Sequence, residues 1–87
     1  MYNRPNLRYA REIADTMRED TDLRSQLQAC EAFRQLAIDR GDRGSQSICS
    51  HDGIALIMQA MALHRDSASM QMVACSTLAE MASHRSC

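Results

Sequence analysis

The chain repeats its own apolar pattern, and this constrains its fold more than any other feature. The stretch Ala29-Cys30-Glu31-Ala32-Phe33-Arg34-Gln35-Leu36-Ala37 recurs in outline as Ala74-Cys75-Ser76-Thr77-Leu78-Ala79-Glu80-Met81-Ala82, an offset of 45 residues. Each apolar position of the first stretch meets an apolar or small one in the second. Upstream, Ala10, Ile13, Ala14 and Met17 match Ile54, Ile57, Met58 and Met61 at an offset of 44. One extra residue in the intervening loop reconciles the two offsets.

Both copies are written in helical spacing. Ala10, Ile13, Ala14 and Met17 fall at i, i+3, i+4 and i+7, a single stripe on a helix, and Ile54, Ile57, Met58 and Met61 repeat it. Ala55, Leu56, Ala60 and Leu63 make that second helix apolar almost all round, so it is expected to lie between neighbours. Met70, Val73, Ala74, Thr77, Leu78, Met81 and Ala82 form the longest stripe, matched by Leu23, Leu27, Cys30, Phe33, Leu36 and Ala37. No run of alternating β-branched residues occurs, so no strand is expected. With 45% hydrophobic but only 3% aromatic residues, the core has to be built from Leu, Ile, Met and Ala, residues that suit helices. The fold class is all-α.

Polar punctuation separates the stripes. Thr21-Asp22 and Asp66-Ser67 are N-cap residues, placed before helices that begin near Leu23 and Ser69. Asp39-Arg40-Gly41-Asp42-Arg43-Gly44 reads as a polar loop whose two glycines stop the preceding helix. A short segment, Ser45 to Ser50, follows, and Gly53 breaks the chain before the apolar helix. His64 and His84 fall near helix C-termini, where positive charge is favourable.

Charge and motif content exclude several function classes. Ten basic against eleven acidic residues leave a formal charge of −1, without the basic excess of a nucleic-acid binder. Arg4, Arg8, Arg11 and Arg18 could form a basic face, the basis of an alternative reading as a small helical nucleic-acid-binding domain. They are interrupted by Glu12, Asp15, Glu19 and Asp20, which suits a solvated, ion-paired helix face. The N-terminal residues have no apolar run fit for a signal peptide, and no stretch reaches the roughly 20 apolar residues of a membrane span. A cytoplasmic or nuclear location follows as the expectation, with Cys30, Cys49, Cys75 and Cys87 kept as thiols. Cys30 and Cys75 occupy equivalent repeat positions and are expected to pack as small hydrophobes; Cys87 is expected to be exposed. Met58, Met61, Met70 and Met81 are likewise expected in the core. His51, Asp52, His64, His84 and Cys87 lack zinc-type spacing, so neither metal nor cofactor is expected. Arg40-Gly41-Asp42 is a solvated turn in this setting. No hydrolase, metalloprotease, P-loop or dinucleotide motif is present, and Glu19, Asp20 and Asp22 fall in a solvated turn, so no enzyme activity is expected.

The second copy resembles an armadillo repeat. Its matching residues run from Asp42 through Ile48, His51-Asp52-Gly53-Ile54, Leu56-Ile57, Met61 and Asp66, then Met70-Gln71, Ala74-Cys75, Leu78 and Glu80-Met81-Ala82. The first copy keeps Gln26, Ala29-Cys30, Phe33 and Leu36-Ala37 but not the short first helix. A period of 44–45 also sits within the range of about 40–47 residues seen in armadillo and HEAT arrays. The resemblance implies residues 1–40 as a partial or degenerate repeat of two helices and 41–87 as a repeat with a short helix and two longer ones. It further implies a right-handed superhelical solenoid of one and a half to two repeats, whose third helices line a concave face for a peptide or protein partner. Where armadillo import receptors hold peptides with a Trp and an Asn one helical turn apart, this chain has Glu31 and Gln35 in one unit and Ser76 and Glu80 in the other. It has no Trp. The implied function is a non-catalytic protein-interaction scaffold segment with a mildly acidic binding strip and no membrane partner.

Stacked repeats complete one another's cores, and about three are usually needed. Ile13 and Met17 at one end, and Leu78 and Met81 at the other, belong to apolar stripes that terminal helices are expected to leave partly uncovered. The chain is therefore expected to be part of a longer array, or to stack end to end with itself or dimerise.

Overall fold

The apolar stripes become helices, and polar residues or glycine mark each break. The computed structural model describes residues 9–84, which run through α1 (Ala10–Glu19), α2 (Leu23–Arg40), α3 (Asp42–Ser50), α4 (Gly53–Leu63) and α5 (Ala68–Ala82). No strand occurs among the described residues. The longest helix, α2, is the centre of the molecule: α1, α3, α4 and α5 all pack on it, and α4 also lies against α1 and α5.

The core is the set of stripes turned inward. Ile13, Phe33, Ile48, Ile57 and Met70 are fully enclosed, one from each helix. Burying one such side chain is worth about 1.5–3 kcal/mol. Thr77, a polar member of the α5 stripe, is also buried. Its Oγ1 donates to the Cys30 carbonyl of α2 at 3.0 Å and makes a 2.8 Å contact with the Val73 carbonyl in its own helix.

The ends of the helical hairpins recur as the stripes do. Gln26 Nε2 donates to the carbonyls of Met17 (3.0 Å) and Asp20 (2.8 Å). Gln71 Nε2 donates to those of Met61 (3.0 Å) and His64 (3.2 Å). The donors stand 45 residues apart and their acceptors 44 apart. The last turn of a helix has carbonyls without intrahelical partners, and an amide nitrogen with two hydrogens can serve two of them. One glutamine on the following helix thus closes the end of α1, and another closes the end of α4. Asp22 and Ser67 hold the corresponding N-cap positions, and Ser67 Oγ accepts from the Met70 amide at 3.1 Å, whereas Asp22 makes no such bond.

Several expectations are corrected. Gly41 alone stops α2: its φ of +58° is a conformation that glycine adopts without steric penalty. The second glycine is not in a loop. Gly44 lies buried inside α3, which begins at Asp42, because α3 crosses α2 so closely that a Cβ there would collide with the Leu36 carbonyl oxygen and approach Ala37 Cα to 3.2 Å. Ile13 and Met17 are not left uncovered; both are buried, as is Met81. Instead α4, expected between neighbours, leaves Ile54, Met58 and Leu63 exposed, Met58 by 58%. Its other side meets α1, α3 and α5. Met72 on α5 is exposed by 70%. Met58 thus leaves the expected core, while Met70 and Met81 are buried and Met61 packs at its edge.

Three substitutions measure these contacts. Gln26→Ala strips two carbonyls of their partner, that of Met17 buried and that of Asp20 at the turn, and is expected to lower unfolding free energy by about 2 kcal/mol, with Gln71→Ala, in a more open site, costing about 1 kcal/mol. Gly44→Ala is expected to cost about 1–3 kcal/mol by overpacking the α2–α3 crossing. Urea denaturation followed by circular dichroism reads all three.

Candidate functional site

The four residues proposed for the binding strip lie on the two longest helices, which pack side by side. Glu31 and Gln35 stand one turn apart on the outer side of α2, both exposed; Ser76 and Glu80 do the same on α5, with Ser76 exposed and Glu80 half-buried. Their inward neighbours Cys30, Leu36, Thr77 and Met81 are buried, so the packing that seats α5 on α2 also turns these polar side chains outward. No hydrogen bond among the described residues joins the α2 pair to the α5 pair.

Glu31, Gln35 and Glu80 are each tethered within their own neighbourhood. Glu31 pairs with Arg34 at 3.6 Å across one turn, and Gln35 Nε2 donates to Asp39 Oδ1 at 2.9 Å. Glu80 is drawn to His84, whose Nε2 lies 3.5 Å from its carboxylate. That approach is long for a hydrogen bond and is a contact of charge when the ring is protonated. On its other side the His84 ring reaches Asp42 at 3.2 Å. His84 therefore links the end of α5 to the start of α3, and two acidic side chains flank it. This grouping is not apparent from the sequence beyond its Glu80–His84 half, a pair four apart on a helix; Asp42 comes from another element altogether.

Of the arginines of that basic face, Arg18 behaves as a structural tie. Arg18 Nη1 pairs with Asp15 at 3.2 Å. Its Nη2 donates to the His51 carbonyl at 3.0 Å and lies 3.9 Å from Asp52, joining α1 to the turn before α4. Arg4 and Arg8 lie outside the described residues. His64, at the end of α4, donates from Nε2 to the Thr21 carbonyl at 2.8 Å, so the turn of one hairpin is tied to the turn of the other. Among the described residues no three His, Cys, Asp or Glu side chains come together in a way that could hold a metal ion, and no helix is long and apolar enough to cross a membrane.

The equivalent cysteines have different fates. Cys30 is enclosed between α2 and α5, while Cys75 is exposed; the expectation that both pack inside is corrected, because α5 covers α2 and nothing described covers the outer side of α5. Cys49 is disulfide-bonded, against the expectation that all four cysteines stay as thiols, and Cys87 lies outside the described residues. Burial pushes the Cys30 thiol up to about 12, with the adjoining Glu31 carboxylate adding to the effect.

No family model matches the chain, and neither does any curated protein or solved structure.

The thiolate is the reactive form of cysteine. Iodoacetamide at mildly alkaline pH is therefore expected to alkylate Cys75 in the native protein and to leave Cys30 untouched until denaturant is added, as read by peptide mass mapping.

Proposed function

We propose that this chain is a non-catalytic protein-interaction module of the armadillo-like kind, binding an extended peptide or a protein along the outer strip of α2 and α5. On this reading α1 and α2 are the second and third helices of one unit, α3 to α5 are a full unit, and the units follow a right-handed superhelix. The observation that carries the reading is the recurrence of the glutamine clamp. Gln26 and Gln71 close successive hairpins with the same donor atom at the same offset as the apolar stripes. On this reading α2 and α5, which pack side by side, are the paired third helices, and Glu31, Gln35, Ser76 and Glu80 are the strip along their outer side.

The chemistry of the strip sets the ligand. Two carboxylates, an amide and a hydroxyl, without an aromatic platform, favour a basic, extended peptide whose backbone meets Gln35 and Ser76 and whose cations meet Glu31 and Glu80. Exposed ion pairs contribute about 0.2–1 kcal/mol each, so the affinity of this chain alone is weak and falls with added salt. Fluorescence anisotropy with labelled Arg-rich and Lys-rich peptides tests this. Glu31→Ala combined with Glu80→Ala is expected to weaken binding by about five- to tenfold at low salt. Unchanged affinity in the double variant would remove the strip from the reading.

A further inference from the structure

The exposed apolar residues of the second hairpin are not scattered. On α5, Ala68, Met72, Cys75, Ala79 and Ala82 are all exposed. They are spaced four, three, four and three apart, the seam by which one helix packs along another. Beside it, Ile54, Ala55, Met58 and Ala62 are exposed on α4, whose eleven residues carry no charge.

The first hairpin shows what this face is for. Ala10, Ala14, Cys30 and Ala37 are buried, and they are the counterparts of Ile54, Met58, Cys75 and Ala82. In the first hairpin α4 lies on α1 and α5 lies on α2; the same face of the second hairpin has no described element on it. What fits there is another pair of helices with an uncharged, apolar surface. The opposite end of this molecule does not qualify. Its exposed residues on α1 include Arg11, Asp15, Arg18 and Glu19, and stacking them head to tail would strip water from these charges against an uncharged seam that offers them nothing in return. The uncharged α4–α5 face of a second copy does qualify.

We infer that this face is self-complementary and joins two copies of the chain about a twofold axis, α5 running antiparallel to α5 of the second copy. Antiparallel pairing on this seam sets Met72 against Ala79 of the second copy and Ala68 against Ala82, a large side chain opposite a small one each time Met72 is used. The axis then passes beside Cys75. Each contact made by one copy is made in return by the other, as a closed twofold interface requires. Helices of fifteen and eleven residues at 1.5 Å rise and about 10 Å width offer roughly 400 Å² of face per copy. Roughly 800 Å² in total falls among weak, transient interfaces, so the dimer is weak and reversible.

Sedimentation equilibrium up to about 100 µM is expected to show a monomer–dimer equilibrium that stops at twice 9.8 kDa. Met72→Glu and Ala79→Glu alter side chains exposed in the single copy, so helical circular dichroism is expected to be unchanged while both variants sediment as monomers over the same range. Glu31→Ala with Glu80→Ala, which tests the peptide strip, is expected to leave the dimer intact. A short bis-maleimide is expected to link Cys75 to Cys75, identified by peptide mapping. A wild-type chain that stays monomeric, open-ended growth past the dimer, or dimers indifferent to both glutamates would each overturn the inference.

Discussion

The contact between α2 and α5 is the one on which the rest of the molecule depends. It encloses Cys30, seats the Thr77 hydroxyl on an α2 carbonyl 47 residues away in the chain, and brings the two hairpins into register. Once α5 lies there, α4 has to cover α1, and α3 is pressed into the crossing where only glycine leaves room at position 44. Arg18 and His64 then tie neighbouring turns at the edges of this arrangement. These outer bonds are exposed and individually modest; the apolar enclosure of α2 supplies most of the stabilisation.

A consequence of that contact is asymmetry between the ends. The α1 end carries alternating acidic and basic residues on its outer side, and its stripe residues Ile13 and Met17 are fully turned inward. The α4–α5 end lacks such a polar surface, since Met58 and Met72 are among its most exposed side chains. The same methionine that is a core filler in one setting is a surface feature in the other, and only the presence of a covering helix separates the two. On α5 the polar residues Ser76 and Glu80 each follow a seam residue, Cys75 and Ala79, and lie roughly 100° further round the helix, so the proposed peptide strip and the proposed dimer face adjoin without coinciding.

Much of this architecture can be read directly from residue order. The helices follow from stripes three and four apart, the hairpin turns from Thr21-Asp22 and Asp66-Ser67, and the stop of α2 from Gly41. Helical spacing also places Glu31 with Gln35, and Ser76 with Glu80, on shared sides of their helices. What residue order does not carry is contact between distant elements. Gly44 has the appearance of a loop glycine because its role is a backbone crossing eight residues removed in sequence. Gln26 and Gln71 look like ordinary surface amides, although each sits at the same place after a helix end and repeats at the offset of the stripes. His84 reveals Glu80 by spacing but not Asp42.

Local periodicity is a property of the helix alone, so the sequence by itself determined the all-helical class and the buried stripe of α1, but not the face that α4 turns toward apolar company, since its stripe residues Ile54 and Met58 turn outward. Which apolar face obtains that company depends on how many layers are stacked, and stacking is settled by packing between residues forty or more positions apart. Cys30 and Cys75 mark the difference: their sequence environments match, yet one is enclosed by α5 and the other faces outward. Only the tertiary structure decided between them, because burial belongs to a pair of surfaces and not to a side chain.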